Sequence, residues 1–409
     1  MDNQVRYFCE LIKNVIHPTE DIQLGDEINW SYLVQIAKEH NIFPLFVEEA
    51  VKYSTYTRRH QYDKEMRETL AIVGGQVRRT NAFLQLYEAF SMANVKPIVV
   101  KGIICRKLYG HLSDHRPSGD EDIFVSQGEY WQAKEILNAN GYVSEFESET
   151  VAQLEQLQEI SFFHPTNKLH IELHLNPMGR ETELRAKMSD CFGHVFEDYM
   201  EIEINGVSIR TMTHQDHLLF LILHAFRHFM TGGLGIRQML DILLYQECYG
   251  SEIDIETLNK KLQEFKADTF YSDMICIGNM YFGFKLDNLK EPNYPEDLLE
   301  DMIFCGVFGN QTQAQRTAIT TIMIATKGGE KNSSLNLLSL ILKSIFPSRT
   351  LMREHYPYLE EKPWLLPVEW IKRWGRFIKH NSNINGNLAT ESMKISQRRI
   401  KVLKKYDLV

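Results

Sequence analysis

Residues 116–125, Arg116-Pro117-Ser118-Gly119-Asp120-Glu121-Asp122-Ile123-Phe124-Val125 (RPSGDEDIFV), set three carboxylates between a turn-forming triplet and an apolar run. Ile123, Phe124 and Val125 have no partners at helical spacing, and Gly128 soon interrupts, so Asp120 to Val125 reads as a strand. Residues two apart on a strand share a face, which aims Asp120 and Asp122 one way and Glu121 the other. Two carboxylates held that close raise each other's pKa unless a cation lies between them. Hard oxygen donors in this arrangement suit Mg2+ or Mn2+. An acid-x-acid triplet at a strand entrance is more often only a solvated turn, so the surroundings must decide.

The surroundings alternate strands with short helices. KPIVVKG (Lys96 to Gly102) is a short β-branched run ended by glycine, and Ile103 to Tyr109 follows as a short helix. His111 to Gly119 reads as a loop, and residues 129–140 as an amphipathic helix stopped at Gly141. LHIELHL (Leu169 to Leu175) alternates strictly, with His170, Glu172 and His174 on one face and Ile171, Leu173 and Leu175 on the other. Glu172 is therefore a third candidate ligand; His170 and His174 flank it, either as partners that orient it or as the plain alternation of a half-exposed strand. Met200 to Met212 reads as a hairpin turning at Asn205-Gly206.

Around this core the period is helical. The expected segments are a helical region over 1–95, an α/β core over 96–212, a helical region over 213–367 and a basic amphipathic tail over 368–409. The fold class is α+β. A formal net charge of −9 argues against a general electrostatic hold on nucleic acid. The tail departs from that balance, with ten Lys or Arg against three acids, and Ile371, Trp374, Phe377 and Ile378 share one helical face. That pattern suits weak contact with an anionic membrane or acidic partner, or docking on the chain's own acidic body, which is the favoured reading. Six scattered cysteines without a CxxC suggest neither a zinc ribbon nor a disulfide framework, and a reducing cytoplasm fits them. MDNQVRYFCE lacks a signal-peptide layout, and the nearest approach to a membrane span, Leu335 to Phe346, is too short, contains Lys343 and reads as a buried helix.

The run VVKGIICRKLYGHLSDHRPSGDEDIFV resembles the uncharacterised bacterial nucleotidyltransferase family of the DNA polymerase beta-like superfamily. WSYLVQIAKEHNIFPLF is similar to that family's N-terminal helical signature, HIELHLN to its third-acid strand and HAFRHFMTGGLGIRQMLDI to its His-rich helix and Arg-x-x-x-Asp continuation. FPSRTLMREHYPYL shows a weaker likeness. The resemblance implies a small mixed β-sheet core flanked by helical regions. It also implies two Mg2+ (or Mn2+) ions on Asp120, Asp122 and Glu172, with Lys101, Gly102, Arg116 and Gly119 at the nucleotide's phosphates. The reaction implied moves a nucleoside monophosphate from an NTP to a hydroxyl of a small molecule, sugar or protein, with no specific nucleic acid as partner. Three features depart from the superfamily's pattern: Gly102 is followed by Ile103 rather than serine, the gap from Gly102 to Asp120 is longer than in the commoner members, and Glu121 stands where an apolar residue is usual.

Other motifs weigh less. His224 and His228 lie one helical turn apart, but HAFRH lacks the glutamate of a zincin. With Arg227, Arg237 and Asp241 they form candidates for a cleft wall, packing within the helices being the commoner role. TGGLG (Thr231 to Gly235) lacks the Gly-Lys-Ser/Thr ending of a phosphate loop. The alternatives to a transferase are a scaffold that keeps the fold without turnover and a metal-dependent phosphohydrolase.

Overall fold

Strands Ile98–Val100 (β1), Asp120–Phe124 (β2), Val143–Ser144 (β3), Glu159–Phe163 (β4) and His170–His174 (β5) form one sheet in the order β1-β2-β5-β4-β3 in the computed structural model. β2 and β5 run parallel while the other neighbours are antiparallel, so the sheet is mixed and the protein is α+β. The structure describes residues 2–19, 24–25, 27–144, 159–180, 182–305, 349, 352, 358, 362–372 and 397–408.

Register follows from alternation. In the central pair Asp122 lies beside Glu172 and Ile123 beside Leu173, while Ile160 and Phe162 of β4 face Leu173 and Ile171. Ile123, Ile160, Phe162, Ile171 and Leu173 are all buried, giving the sheet one apolar face. A one-residue slip would exchange that face for the acidic one, so burial fixes the register. Tyr199–Ile204 (β6) and Val207–Met212 (β7) make the separate hairpin expected from Asn205-Gly206, with both turn residues at positive φ (50° and 85°).

Contacts divide the chain into two compact units. The first holds residues 1–226 and 236–296. Its helices Asn3–Ile16, Trp30–Glu39 and Phe43–Ala50 bury Phe8, Leu33, Phe43 and Phe46, and the long helix Tyr62–Met92 buries Phe83, Leu86, Tyr87 and Phe90. The short helix Gly102–Lys107 leads from β1 towards β2, and Ile236–Tyr249 is buried along much of its length.

The second unit holds residues 227–235 and 297–409. Within it the helical stretch 397–405 buries Val402 and Leu403, with Tyr406 buried just beyond. Arg398 pairs with Glu300 at 2.7 Å, the buried Arg399 with Asp301, and Lys405 with Asp297. Part of the basic tail is thus neutralised by the chain's own acids. Ile371 is exposed, whereas Trp374, Phe377 and Ile378, the run Leu335 to Phe346 and most of FPSRTLMREHYPYL lie outside the described residues. Among the described residues no helix is long and apolar enough to cross a membrane.

Candidate active site

The acidic face of the sheet is built by two neighbouring parallel strands. Asp122, Glu172 and His174 bring one ligand atom each to within 4.8 Å of one another. Asp120 shares their face but stands two residues earlier, half-buried at the start of β2 and outside that tight set. The third converging donor is therefore His174, a candidate ligand. It outlines a donor group of two carboxylates and an imidazole, a set that divalent ions accept.

His174 is buried, and its Nε2 lies 2.9 Å from Asp122 Oδ1 and 3.6 Å from Glu172 Oε2. Its ring stands edge-on to Phe124 with centroids 4.9 Å apart. Burial alone would push the imidazole pKa down, but the bonds to Asp122 and Glu172 prevail and raise it to about 9. Glu172 is pushed up to about 7, first by burial and then by the like charges of Asp122 and Asp120, against the opposing bond from His174. Asp122 goes the other way. Burial works against its charge, yet Lys101 and His174 hold its carboxyl well below the usual range.

Lys101 supplies the cation that two adjacent acids require. Its Nζ lies 2.7 Å from Asp122 Oδ1 and 3.2 Å from His224 Nε2. The carboxylates of Asp122, Glu172 and Asp120 outweigh burial and raise the lysine's pKa. Its backbone is held in the left-handed region at φ 53°, a conformation costly for a side-chain-bearing residue and common at functional sites. A buried relay maintains it. Lys101 N–H donates to His217 Nε2 at 3.1 Å, His217 Nδ1 faces Thr211 Oγ1 at 3.5 Å, and Thr211 donates to the Val99 carbonyl at 2.7 Å. Burial, with the charges of His214 and Lys101, pushes His217 down to about 3, which keeps it a neutral acceptor.

Glu121, on the opposite face, has its own role. Its Oε2 accepts the Ile103 N–H at 2.7 Å and its Oε1 lies 2.6 Å from Arg106 Nη2, so it ties the start of the helix Gly102–Lys107 to β2. Gly102 is needed for this close approach, because a Cβ there would overlap the Glu121 carboxylate. Gly102→Ala should destabilise the protein by about 2 kcal/mol through forced displacement of a buried ion pair. In the double variant with Glu121→Ala the combined loss should be less than the sum of the two single losses in a urea titration, because both act on the same ion pair.

Arg116 is only 4% exposed and gives Asp241 a two-point bond, with Nε to Oδ1 at 3.1 Å and Nη2 to Oδ2 at 2.5 Å. Tyr109 adds a hydroxyl donor to the same Oδ1 at 2.9 Å. Expected at phosphates, Arg116 has its guanidinium engaged inside the protein, because a buried carboxylate stands opposite it. Arg237 Nη1 donates to the Pro117 carbonyl and so steadies the loop that delivers β2. Gly119 is exposed, and a Cβ there would meet nothing within 4 Å. His170 is also exposed and packs against Phe163, 4.5 Å between ring centroids, rather than beside Glu172. His228 belongs to the second unit, where its carbonyl accepts the Gly232 and Gly233 N–H groups at the end of helix His214–Thr231.

His217 went unnoticed in the sequence, where it is one histidine among several at the start of an apolar helix. Asp241 was visible only through the Arg-x-x-x-Asp spacing. Nothing local marks either as the partner of a residue more than a hundred positions away.

Fold and site together define the class: a mixed-sheet α+β protein with an acid-x-acid strand laid beside a third acid, the layout of a nucleotidyl-transfer core. A family model described as "Uncharacterised nucleotidyltransferase" matches residues 26–283, more than half of the chain, and the protein belongs to that family. No curated protein and no solved structure matches the chain.

Proposed function

We propose that this protein transfers a nucleoside monophosphate from an NTP to a hydroxyl of a small molecule, sugar or protein, releasing pyrophosphate. The observation that carries the reading is the convergence of Asp122 and Glu172 on adjacent parallel strands, with Asp120 on the same face. The donor set fits Mg2+ or Mn2+, with Asp122 and Glu172 as the principal ligands, His174 beside them and Asp120 adding the donor a second ion needs. Such ions supply positive charge where the phosphoryl transition state gathers negative charge.

The chain's own residues do the rest. Glu172, on the acidic face beside Asp122, is placed to assist removal of the proton from the acceptor hydroxyl. The acceptor oxygen then bonds to the α-phosphorus as the bond to the bridging β-phosphate oxygen breaks, and pyrophosphate departs. Asp122 stays ionised throughout and holds its neighbours in place. The cytoplasm, where NTPs and Mg2+ are abundant, is the compartment we assign, a choice consistent with six unpaired cysteines.

The test is a pyrophosphate-release screen of NTPs against pools of hydroxyl acceptors. Release that needs both an acceptor and a divalent ion supports the proposal. Absence of NTP affinity at millimolar concentration sinks it, and orthophosphate release from an ester would move the assignment to a hydrolase.

Metal binding should also depend on pH in a stated direction. Below about pH 7 Glu172 is protonated and competes with the ion, so Mn2+ affinity should fall roughly tenfold per pH unit. Between pH 7 and about 9 affinity should continue to rise as His174 loses its proton. Titrating Mn2+ by electron paramagnetic resonance across pH 5.5–9.5 (a range chosen to bracket both groups, roughly the span over which these residues titrate) checks both limbs. A flat profile contradicts the ligand assignment.

A further inference from the structure

We propose that Lys101 is an exchangeable counter-ion, whose ammonium rests on Asp122 and His224 until a divalent ion takes the carboxylate and then turns to the phosphates of the NTP. The inference rests on the nucleotidyl-transfer reading above and assigns Lys101 a resting position which that reading lacks.

Three observations carry it. Lys101 Nζ occupies Asp122 Oδ1 at 2.7 Å, the same oxygen that lies 2.9 Å from His174 Nε2, so the carboxylate a metal would use already has a cation. An ammonium and a divalent ion on one carboxylate oxygen would repel strongly in a site where the lysine side chain is only 17% exposed. In the proposed exchange it is the ammonium that leaves. Finally, the lysine backbone is anchored, by the bond to His217 and the left-handed φ, so any movement of the ammonium has to come from its four-carbon stem. The fixed pivot lies at the junction of β1 and the following helix, on the edge of the acidic face. A lysine is suited to the transfer, being a compact charge on a flexible stem that binds phosphate without a fixed fork geometry.

The arrangement couples the steps in order. Without metal, Lys101 neutralises the acid pair and protects the site from an unfavourable accumulation of charge. With metal, it is released towards the substrate, so the phosphate grip forms only after the ion has bound.

The experiment measures the accessibility of Lys101 by reductive methylation, read at its peptide by mass spectrometry, with Mn2+ occupancy followed in parallel by electron paramagnetic resonance. In the metal-free protein labelling should be slow. Mn2+ alone should accelerate it about fivefold or more, the scale of losing an ion-pair partner worth about 1 kcal/mol, and a non-hydrolysable NTP analogue added with Mn2+ should restore protection. Asp122→Asn should label rapidly without any ion, and Lys101→Met should bind Mn2+ about tenfold more tightly than the wild type. Unchanged labelling when Mn2+ is demonstrably bound overturns the exchange while leaving the metal site intact. Weaker Mn2+ binding by Lys101→Met also overturns it, and continued fast labelling with the NTP analogue removes the turn to phosphate. Failure of Mn2+ to bind at all removes the nucleotidyl-transfer reading itself, and the exchange with it. Should Asp122→Asn fail to fold, the wild-type comparison with and without Mn2+ still decides.

Discussion

Asp122→Asn should lower pyrophosphate release by about a thousandfold or more, the scale expected when a group that organises transition-state charge is removed. Asp120→Asn should cost less, roughly ten- to a hundredfold, because Asp120 is half-buried and outside the converging set. The two variants together test the geometry rather than the motif: equal losses would show that both acids carry the chemistry alike. Asp122→Asn should also destabilise the metal-free protein by about 3 kcal/mol, since it leaves the half-buried Lys101 and the buried His174 without their shared anion.

That loss has a defined pH window. The folded-state pKa of Asp122 is depressed, so its contribution is present above the ordinary value of 3.8 and is lost as pH falls. The folded-state pKa of His174 is raised, so its contribution is full below its ordinary 6.5 and disappears as pH rises through about 9. The stability gap between wild type and Asp122→Asn should therefore be widest between roughly pH 4 and 6.5 and narrow towards pH 9. Urea titrations at several pH values measure it. A gap that widens at alkaline pH would contradict the His174 pairing.

Arg116→Ala should destabilise the protein by about 3–5 kcal/mol, because it leaves the Asp241 carboxylate buried and stripped of its two-point partner. Asp241→Ala should cost a similar amount, and the double replacement much less than their sum. Arg116→Lys should recover little, since an ammonium cannot reproduce the planar fork. If Arg116 instead holds a phosphate, its replacement should raise the KM for NTP and leave stability nearly unchanged. Measuring both quantities on one variant separates the roles. The structure favours the first outcome: Tyr109 bonds to the same carboxylate, and the whole cluster is buried.

Much of the site could be read locally. Asp120 and Asp122 on one face, Glu172 on another strand and the alternation of the 169–175 run all follow from two-residue periodicity, and β2 and β5 appear close to where that periodicity puts them. The same pattern offered His170 and His174 as equivalent flanks of Glu172. Tertiary structure separated them: His174 faces the buried end of β2 and meets Asp122, whereas His170 lies at the exposed end beside Phe163. Glu121 illustrates the opposite case. In the sequence it was an acid without a purpose, and in the fold it secures the helix that follows Lys101.

The sequence by itself determined which residues share a strand face, where the hairpin turns and which acids are neighbours, because backbone stereochemistry within a few residues fixes all three. Only the tertiary structure decided which charges are already paired. Lys101 finds His217 across 116 positions and Arg116 finds Asp241 across 125, and no local preference encodes such distances. Pairing at that range depends on how burial makes an unpartnered charge costly. Asp122 therefore keeps a lysine close, and Arg116 is engaged within the protein by Asp241.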